Sequence, residues 1–387
     1  MDSNLGKNQS YARKVNSKLV ISKLRNADAS ATILVEELNL SNSAMSSILK
    51  GLELQGAIIP SYSMSALGKG RKQIYYTLNK DYGVFVIVCL SNNRYKIILS
   101  NLKEEVLLKE EREIDGYDIA VIYEIILQIK KMLDKEEYRN LPLKNIFIAV
   151  PGKVNSVTGE IQLSKHFDKS LFDENNSIVH LFENHFNAPI IIRNDINLAI
   201  VGEKRGGTLS NSRNAMLLYI DNGIGASMIF NNEFYGGSNG YAGEFGLMQT
   251  TFHGQENFLD EFVSLRAIKN FVYSKLNKKV KTKDVVQLYK TNKDIKDYIN
   301  DTASLIGQKL KEVVELLNIS RIVIQGRVIE FGDEYLNLIK TEINKSQNQC
   351  DVVYSNLRDD SIFIGAMAEA VEHLIDVVTL KSMNGGY

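Results

Sequence analysis

The chain has 387 residues, 44% of them hydrophobic and 24% charged, with 46 basic and 46 acidic side chains and so no net charge. That length supports two or three domains with cores of their own, and the composition is that of an ordinary soluble globular protein. No apolar run approaches the roughly 18 residues of a membrane span, and the opening MDSNLGKNQS is too polar for a signal peptide, so a cytoplasmic protein without membrane contact is expected.

The charge is unevenly spread. Residues 1–80 carry eleven Lys and Arg against five acids, a balance of +6 that the remaining residues offset with −6. A basic head on an acidic body points to a polyanionic partner for the head.

In the head, residues 16–26 place Leu19, Val20, Ile21 and Leu24 at helical spacing. A second short helix over 32–38 presents Ile33, Leu34 and Leu38. Asn39-Leu40-Ser41 forms a turn with Ser41 as an N-cap, and a third helix follows over 42–54. Met45, Ile48, Leu49 and Leu52 make its apolar face. Ser41, Asn42, Ser43, Ser46, Ser47 and Lys50 lie on or near the other faces, the pattern of a helix-turn-helix whose second helix reads DNA. Serines tolerate several bases, so no operator sequence is readable. Residues 57–60 and 73–78 are expected strands of a hairpin. The stretch 61–72 between them is a wing ending in Gly68-Lys69-Gly70-Arg71-Lys72. Lys69, Arg71 and Lys72 suit a phosphate backbone or a narrow minor groove. The plainer alternative is a solvated basic loop beside a small helical cap.

From residue 81 the pattern changes. Strands are expected over 84–90, 95–102 and 106–114, then a helix over 117–133. A strand over 145–150 leads into Pro151-Gly152, and a hairpin follows around Thr158-Gly159. After a helix at 177–186, a strand over 188–192 delivers Arg193-Asn194-Asp195 to the start of a helix over 196–204, a common way to present an acid to a ligand.

The stretch 216–247 is the densest in glycine: an apolar strand, a turn at 222–225, a second apolar run, then two glycine-rich loops closing on Gly243-Glu244-Phe245-Gly246. Glycine lets backbone approach a ligand, and Glu244 is a carboxylate that can accept sugar hydroxyls. Helices over 257–272, 282–289 and 295–317, a strand over 321–325, a helix over 334–343, a strand over 350–354 and a last helix over 362–378 complete an α/β body of two lobes with a cleft. Cys89 and Cys350 read as buried thiols rather than a disulfide or metal pair. The histidines 166, 180, 185 and 373 have no partners at recognisable spacing and read as structural, and His253 reads as a surface or packing residue.

With a winged helix-turn-helix ahead of this body, the chain resembles the ROK family (repressors, open reading frames and sugar kinases) over nearly its whole length. Asn194-Asp195-x-Asn197-x-Ala199 with Glu203 matches the family's ND-x-N-x-A motif. Asp221-Asn222-Gly223-Ile224-Gly225 resembles its second phosphate loop, and Gly240-x-Ala242-Gly243-Glu244-x-Gly246 its most specific element. The resemblance implies a two-lobed actin/hexokinase-like body, with the C-terminal helix returning to the first lobe. It implies that the acid at Asp195 is the catalytic base in kinase members, and that Asn194 and Glu244 hold sugar hydroxyls. Asp260, in Phe258-Leu259-Asp260, stands where the family has a longer acid and could reach a hydroxyl too.

Two departures reshape that implication. Kinase members open the body with Asp-x-Gly-Gly-Thr against the nucleotide phosphates, whereas here the run is Cys89-Leu90-Ser91-Asn92-Asn93, without the metal-assisting acid or the glycines. Zinc-binding members carry a His and three Cys where this chain has Leu247, Thr251, His253 and Phe258, and one imidazole does not replace four ligands.

The expectation is therefore a sugar-responsive repressor without catalysis, cofactor or metal. Residues 1–80 bind double-stranded operator DNA, and residues 81–387 bind a sugar through Asn194, Asp195, Glu244 and Asp260 and form a homodimer or a dimer of dimers. Xylose, glucose and N-acetylated sugars all fit the family. Two alternatives stand beside it: an ATP-dependent sugar kinase carrying a DNA-binding head, and a vestigial cleft with a protein partner in the sugar's place.

Overall fold

The computed structural model describes residues 3–64, 73–91, 94–155, 160–164, 167–173 and 176–384. Lys69, Arg71 and Lys72 of the expected wing tip, Asn92 and Asn93, the turn at Thr158-Gly159 and His166 lie outside the described residues.

The first helix, α1 (Ser3–Asn26), starts well ahead of the expected residue 16. Val20, Ile21 and Leu24 are buried as expected, but Leu19 is 44% exposed, because the packed face of α1 is the one turned toward the third helix and the C-terminal helix. β1 (Ala29–Ser30) ends in a cap: Ser30 Oγ accepts the Ile33 N–H at 3.4 Å and starts α2 (Ala31–Leu38). Asn39, in the left-handed region at φ 52°, ends α2. Ser41 Oγ then accepts the Ala44 N–H at 3.2 Å and starts α3 (Asn42–Leu54), the capping read from the sequence. β2 (Ile58–Met64) and β3 (Gln73–Leu78) complete an antiparallel sheet in the order β1-β3-β2. β2 runs past the expected end at Pro60, whose missing N–H is accommodated by a register shift between Pro60 and Tyr62. The result is a winged helix-turn-helix.

The first lobe contains β4 (Val84–Ser91), β5 (Arg94–Asn101), β6 (Val106–Glu113), α4 (Ile119–Leu133), β7 (Leu143–Val150), β8 (Lys153–Val154), β9 (Ile161–Leu163), α5 (Ile178–Glu183), β10 (Ile190–Asn194) and α6 (Asp195–Gly206). Its sheet has the order β10-β7-β4-β5-β6, parallel through β10, β7 and β4 and antiparallel beyond. β4 is apolar at nearly every position because both faces are covered. Val84, Val86 and Val88 pack under α4, while Phe85 and Ile87 join the core around α6.

The second lobe contains β11 (Ala215–Ile220), β12 (Ile224–Phe230), β13 (Glu233–Phe234), β14 (Gln249–Phe252), β15 (Gln255–Phe258), α7 (Asp260–Val263), α8 (Leu265–Leu276), α9 (Thr282–Thr291), α10 (Lys293–Leu317), β16 (Arg321–Gln325), α11 (Asp333–Ile343) and β17 (Asp351–Tyr354), and leads into the last helix, α12 (Asp360–Asn384). Its sheet has the order β13-β12-β11-β16-β17. The helix expected over 257–272 is wrong in its first part. His253 and Gly254, both at positive φ (48° and 76°), make a tight turn that pairs β14 with β15, and Ser264 separates the short α7 from α8.

α12 returns to the first lobe and packs along α6 backbone to backbone. A Cβ on Gly202 would sit 1.9 Å from the Ser361 carbonyl, and one on Gly365 1.9 Å from that of Leu198. Head and body share one apolar core: Val20, Leu24, Met45, Ile48 and Leu52 join Ala366, Ala370, Leu374, Leu198 and Ile200. Ion pairs rim this junction. Lys14 and Lys18 of α1 reach Asp376 at 2.9 and 2.8 Å, Lys18 also pairs with Glu372, and Glu104 is held by Arg25 of the head at 2.7 Å and Arg205 of α6 at 2.6 Å.

Candidate functional site

On α3 the division of faces is sharp. Met45, Ile48, Leu49 and Leu52 are buried, and Ser41, Asn42, Ser43, Ser46, Ser47 and Lys50 are all exposed. Short hydroxyl and amide side chains plus one lysine on a solvent-facing helix of a winged helix-turn-helix are the groups that reach groove edges and phosphates.

In the body, parallel strand β10 and α6 set Asn194 and Asp195 at a strand-to-helix junction. Asn194 is the N-cap: its Oδ1 accepts the Asn197 N–H at 2.9 Å, and its Nδ2 donates to the Gly152 carbonyl at 2.7 Å, tying it to the segment after β7. Asp195 is 8% exposed, and its Oδ1 accepts from the Ile196 N–H at 2.9 Å and from Asn194 Nδ2 at 3.3 Å. Burial pushes its carboxyl up to about 7, against the lowering pull of the backbone N–H groups of Ile196 and of Asp195 itself.

Glu244 and Asp260 come from the second lobe. Gly243, at φ 100°, lies so close to β12 that a Cβ would meet the Ala226 carbonyl at 1.9 Å, and this approach fixes the loop carrying the exposed Glu244. Asp260 is largely committed to structure. Its Oδ1 accepts the Ile224 N–H at 3.0 Å, and its Oδ2 pairs with Arg266 at 2.6 Å. The two halves of the site meet where Ile196, next to Asp195, reaches into the space left by Gly225: a Cβ there would lie 2.3 Å from Ile196 Cδ1. Glu203 of the ND-x-N-x-A…E motif is a buried pin, taking the N–H and hydroxyl of Thr208 at 2.8 and 2.6 Å and the hydroxyl of Ser355.

Beside Asn194 opens a cavity of about 400 Å³, lined by Val154, Arg193, Asn194, Asn197, Phe234, Gly236, Gly237 and Glu369. Of the four expected sugar contacts only Asn194 lines it. Asn197 stood in the ND-x-N-x-A motif without a role assigned to it, and Arg193, Phe234 and Glu369 carried no functional signal in the sequence beyond the position of Arg193-Asn194-Asp195 at a strand end.

In each of the two segments that would cradle a nucleotide in a kinase, described amides are already engaged. The Ser91 N–H is taken by the Tyr117 hydroxyl at 2.9 Å. In the Asp221–Gly225 turn, the Asn222 N–H goes to Asp221 Oδ1 at 2.6 Å and the Ile224 N–H to Asp260. Asp221 is clamped by Arg327, Nε to Oδ2 at 2.9 Å and Nη2 to Oδ1 at 2.5 Å. Cys89 and Cys350 are free and half-buried rather than fully buried, and burial pushes each thiol up to about 12. His253 is exposed, stacks on Phe252 at 4.1 Å between ring centres and meets Asp301 at 2.9 Å. Among the described residues no three His, Cys, Asp or Glu side chains gather as a metal would require, and no helix is long and apolar enough to cross a membrane.

Comparison with known proteins adds the lineage. The model of the ROK family matches residues 92–372. The chain is 24% identical to the xylose repressor of Bacillus subtilis (strain 168), over 96% of this chain and 99% of that protein. It is 22% identical to the DNA-binding transcriptional dual regulator NagC of Escherichia coli (strain K12), over 90% of each. Among solved structures, a ROK family transcriptional regulator homologous to the E. coli MLC protein superposes with a TM-score of 0.79 at 20% identity, covering 97% of this chain and 99% of that one. A ROK hexokinase from Thermus thermophilus superposes with a TM-score of 0.62 at 16% identity, covering 99% of itself but 75% of this chain.

Proposed function

The chain belongs to the ROK family, and from that premise we propose that it is a sugar-responsive transcriptional repressor. Residues 1–80 bind double-stranded operator DNA, and residues 81–387 bind the effector and form the homodimer. The observation that carries this reading is the shared core. The helix whose exposed face carries Ser46, Ser47 and Lys50 packs on α12, and α12 packs through Gly365 on the helix that begins at Asp195.

A dimer sets two copies of α3 in successive major grooves about 34 Å apart on a palindromic site. A sugar held by Asn194, Asp195, Glu244 and Asp260 shifts the lobes and, through α12, the spacing of the heads. Moving a 99:1 balance to 1:99 takes a preference of about 10⁴-fold for one state. Asp195 serves as a hydroxyl acceptor and no phosphoryl group is transferred; the engaged amides of Ser91, Asn222 and Ile224 support this. A protein with this role works in the cytoplasm, where the operator is.

The test is a thermal-shift screen of neutral and phosphorylated sugars, since a ligand at 100 times its Kd adds about 2.7 kcal/mol. Each hit is then titrated into the protein bound to fluorescent DNA from its own upstream region. Release or tightening by one sugar is expected; DNA binding indifferent to every stabilising sugar would sink the proposal. A second reading, sugar kinase, is favoured by one observation: a buried carboxyl pushed up to about 7 is what a general base requires. Sugar-dependent ATP turnover abolished by Asp195→Asn would establish it.

A further inference from the structure

The geometry points to the cavity beside Asn194 as a binding pocket for a neutral, polyhydroxylated ring, with Arg193, Asn197 and Glu369 as its polar contacts, Phe234 as the surface the ring lies against, and Glu369 as the residue that reports occupancy to the head. This rests on the sugar reading above and relocates the ring, since of the four contacts expected there only Asn194 lines this cavity.

The volume, about 400 Å³, falls in the range of roughly 300–1,000 Å³ usual for small-ligand sites. The walls have the right chemistry. Phe234 is 37% exposed and gives an aromatic face. Next to it the chain turns through Gly236 and Gly237, where a Cβ would press on the Phe234 ring at 3.2 Å and on Ala242 Cβ at 3.3 Å, so bare backbone borders the space. Asn197 also lines the cavity, and its side-chain amide makes no hydrogen bond among the described residues.

Arg193 and Glu369 meet at 3.4 Å, a loose contact with 33% and 31% of the side chains exposed. Each has hydrogen-bonding capacity left: the guanidinium donates to hydroxyl oxygens and the carboxylate accepts two hydroxyl protons. Together they carry no net charge, which selects a neutral ligand over a phosphorylated one, whose anion would face the Glu369 carboxylate.

Glu369 also has a position that no other wall residue has. It lies on α12 in helical register with Glu372, His373 and Asp376. Glu372 and Asp376 are the acids that hold Lys14 and Lys18 of the head, and His373, between the two ends, is close enough to feel both Arg193 and Asp376. A ligand that pulls Glu369 off Arg193 therefore acts on the same face of the same helix that carries the head.

The test uses the full-length protein with the neutral sugar that stabilises it most, and the 6-phosphate of that sugar. Calorimetry gives the affinity, and fluorescence anisotropy gives the fold-change in operator affinity that saturating sugar causes, each variant measured against its own sugar-free baseline. For Glu369→Gln and for Phe234→Ala, a drop of about tenfold or more in sugar affinity is expected. For Glu372→Gln, sugar affinity is expected to stay as in wild type while the sugar-induced change in operator affinity shrinks. Unfolding midpoints confirm that each variant is folded. Wild-type affinity in both pocket variants, with loss in Glu244→Gln, would overturn this pocket and leave the sugar reading standing; tighter binding of the phosphorylated sugar would overturn the neutral-ligand assignment. A wild-type protein that binds no sugar in the panel overturns the functional reading itself.

Discussion

The hydroxyl of Tyr117 accepts the amide N–H of Ser91 at 2.9 Å. Its proton is turned toward the carbonyls of Ser91 and Arg94, at 2.8 and 2.5 Å. Tyr117 is 1% exposed, so this cap is built into the packed lobe. Ser91 belongs to the segment that corresponds to the phosphate-approaching loop of kinase members of the family. Calorimetry with Mg-ATP is therefore expected to show no binding. Tyr117→Phe, which leaves the Ser91 N–H without its acceptor, should lose about 1–2 kcal/mol in urea unfolding and still bind no ATP. Nucleotide binding by either protein contradicts the lost-cradle reading.

Asp195 makes stability depend on pH in a direction opposite to that of most acids. Its folded carboxyl is pushed up to about 7, whereas an unfolded Asp titrates near about 3.9. Between those values the folded chain holds a proton that the unfolded chain has released. This contribution is full below about pH 4 and is lost as pH rises through about 7, at most about 4 kcal/mol in all. Asp195→Asn keeps the shape and removes the titration. From pH 5 to pH 8 the stability of the variant relative to wild type should rise by roughly 2–3 kcal/mol. Urea titrations of both proteins at the two pH values measure this, and an unchanging difference would remove Asp195 as the cause.

The sequence carried the fold further than it carried the site, and particular residues explain why. α3 was readable because its signals are local: Ser41 before the helix, then Met45, Ile48, Leu49 and Leu52 on one face. The region after β14 was misread because Phe258, Leu259, Phe262 and Val263 have helical spacing, while what decides the structure is the turn at His253-Gly254 and the pairing of Gln249 with Phe258. Asn194 and Asp195 stood out by motif, yet their partners, Gly152 for one and deep burial for the other, depend on packing. Glu369 gave no signal, since nothing local tells a half-buried helix acid from a solvated one; only the fold sets it beside Arg193.

Asp260, singled out in the sequence as a hydroxyl contact, has a structural duty. Its two oxygens join the β11–β12 turn, through the Ile224 N–H, to Arg266 of α8. Asp260→Ala leaves the turn amide without its acceptor and takes one of two carboxylates from Arg266, which keeps Glu261 at 2.8 and 3.0 Å; the unpaired turn amide costs about 1–3 kcal/mol. The same change should weaken sugar binding by loosening the turn. Differential calorimetry, together with the sugar titration, reads both effects; a variant as stable as wild type would show that the clamp contributes nothing.

An aromatic cluster packs the β14–β15 hairpin against α7, α8 and α10. Phe252 lies 5.4 Å from Phe262 and 5.7 Å from Tyr298 between ring centres, and Tyr298 stacks on Phe271 at 3.7 Å. Phe252 is 8% exposed, so Phe252→Ala is expected to cost about 3–4 kcal/mol. Hydrogen exchange should localise the loss to the β14–β15 hairpin and α7. Prolonged chelation, by contrast, should leave the wild-type melting temperature unchanged, and a drop on chelation would reveal a metal that holds this region.

Lys50 and the serines of α3 should separate by how DNA binding responds to salt. Lys50, proposed to meet phosphate, is exposed, and Ser46 and Ser47 are exposed nearer the helix start. A phosphate contact releases counterions, so Lys50→Ala should weaken binding to every sequence and reduce the salt slope by about 1. Ser46→Ala and Ser47→Ala remove the hydroxyls proposed to reach base edges. They should leave the slope as it is and change the preference between operator and scrambled DNA, by about 1–3 kcal/mol for a contact that discriminates. Anisotropy titrations at several salt concentrations, on operator and scrambled duplexes, give slope and preference together. If Lys50→Ala altered preference and the serine variants altered slope, α3 would be docked in another orientation.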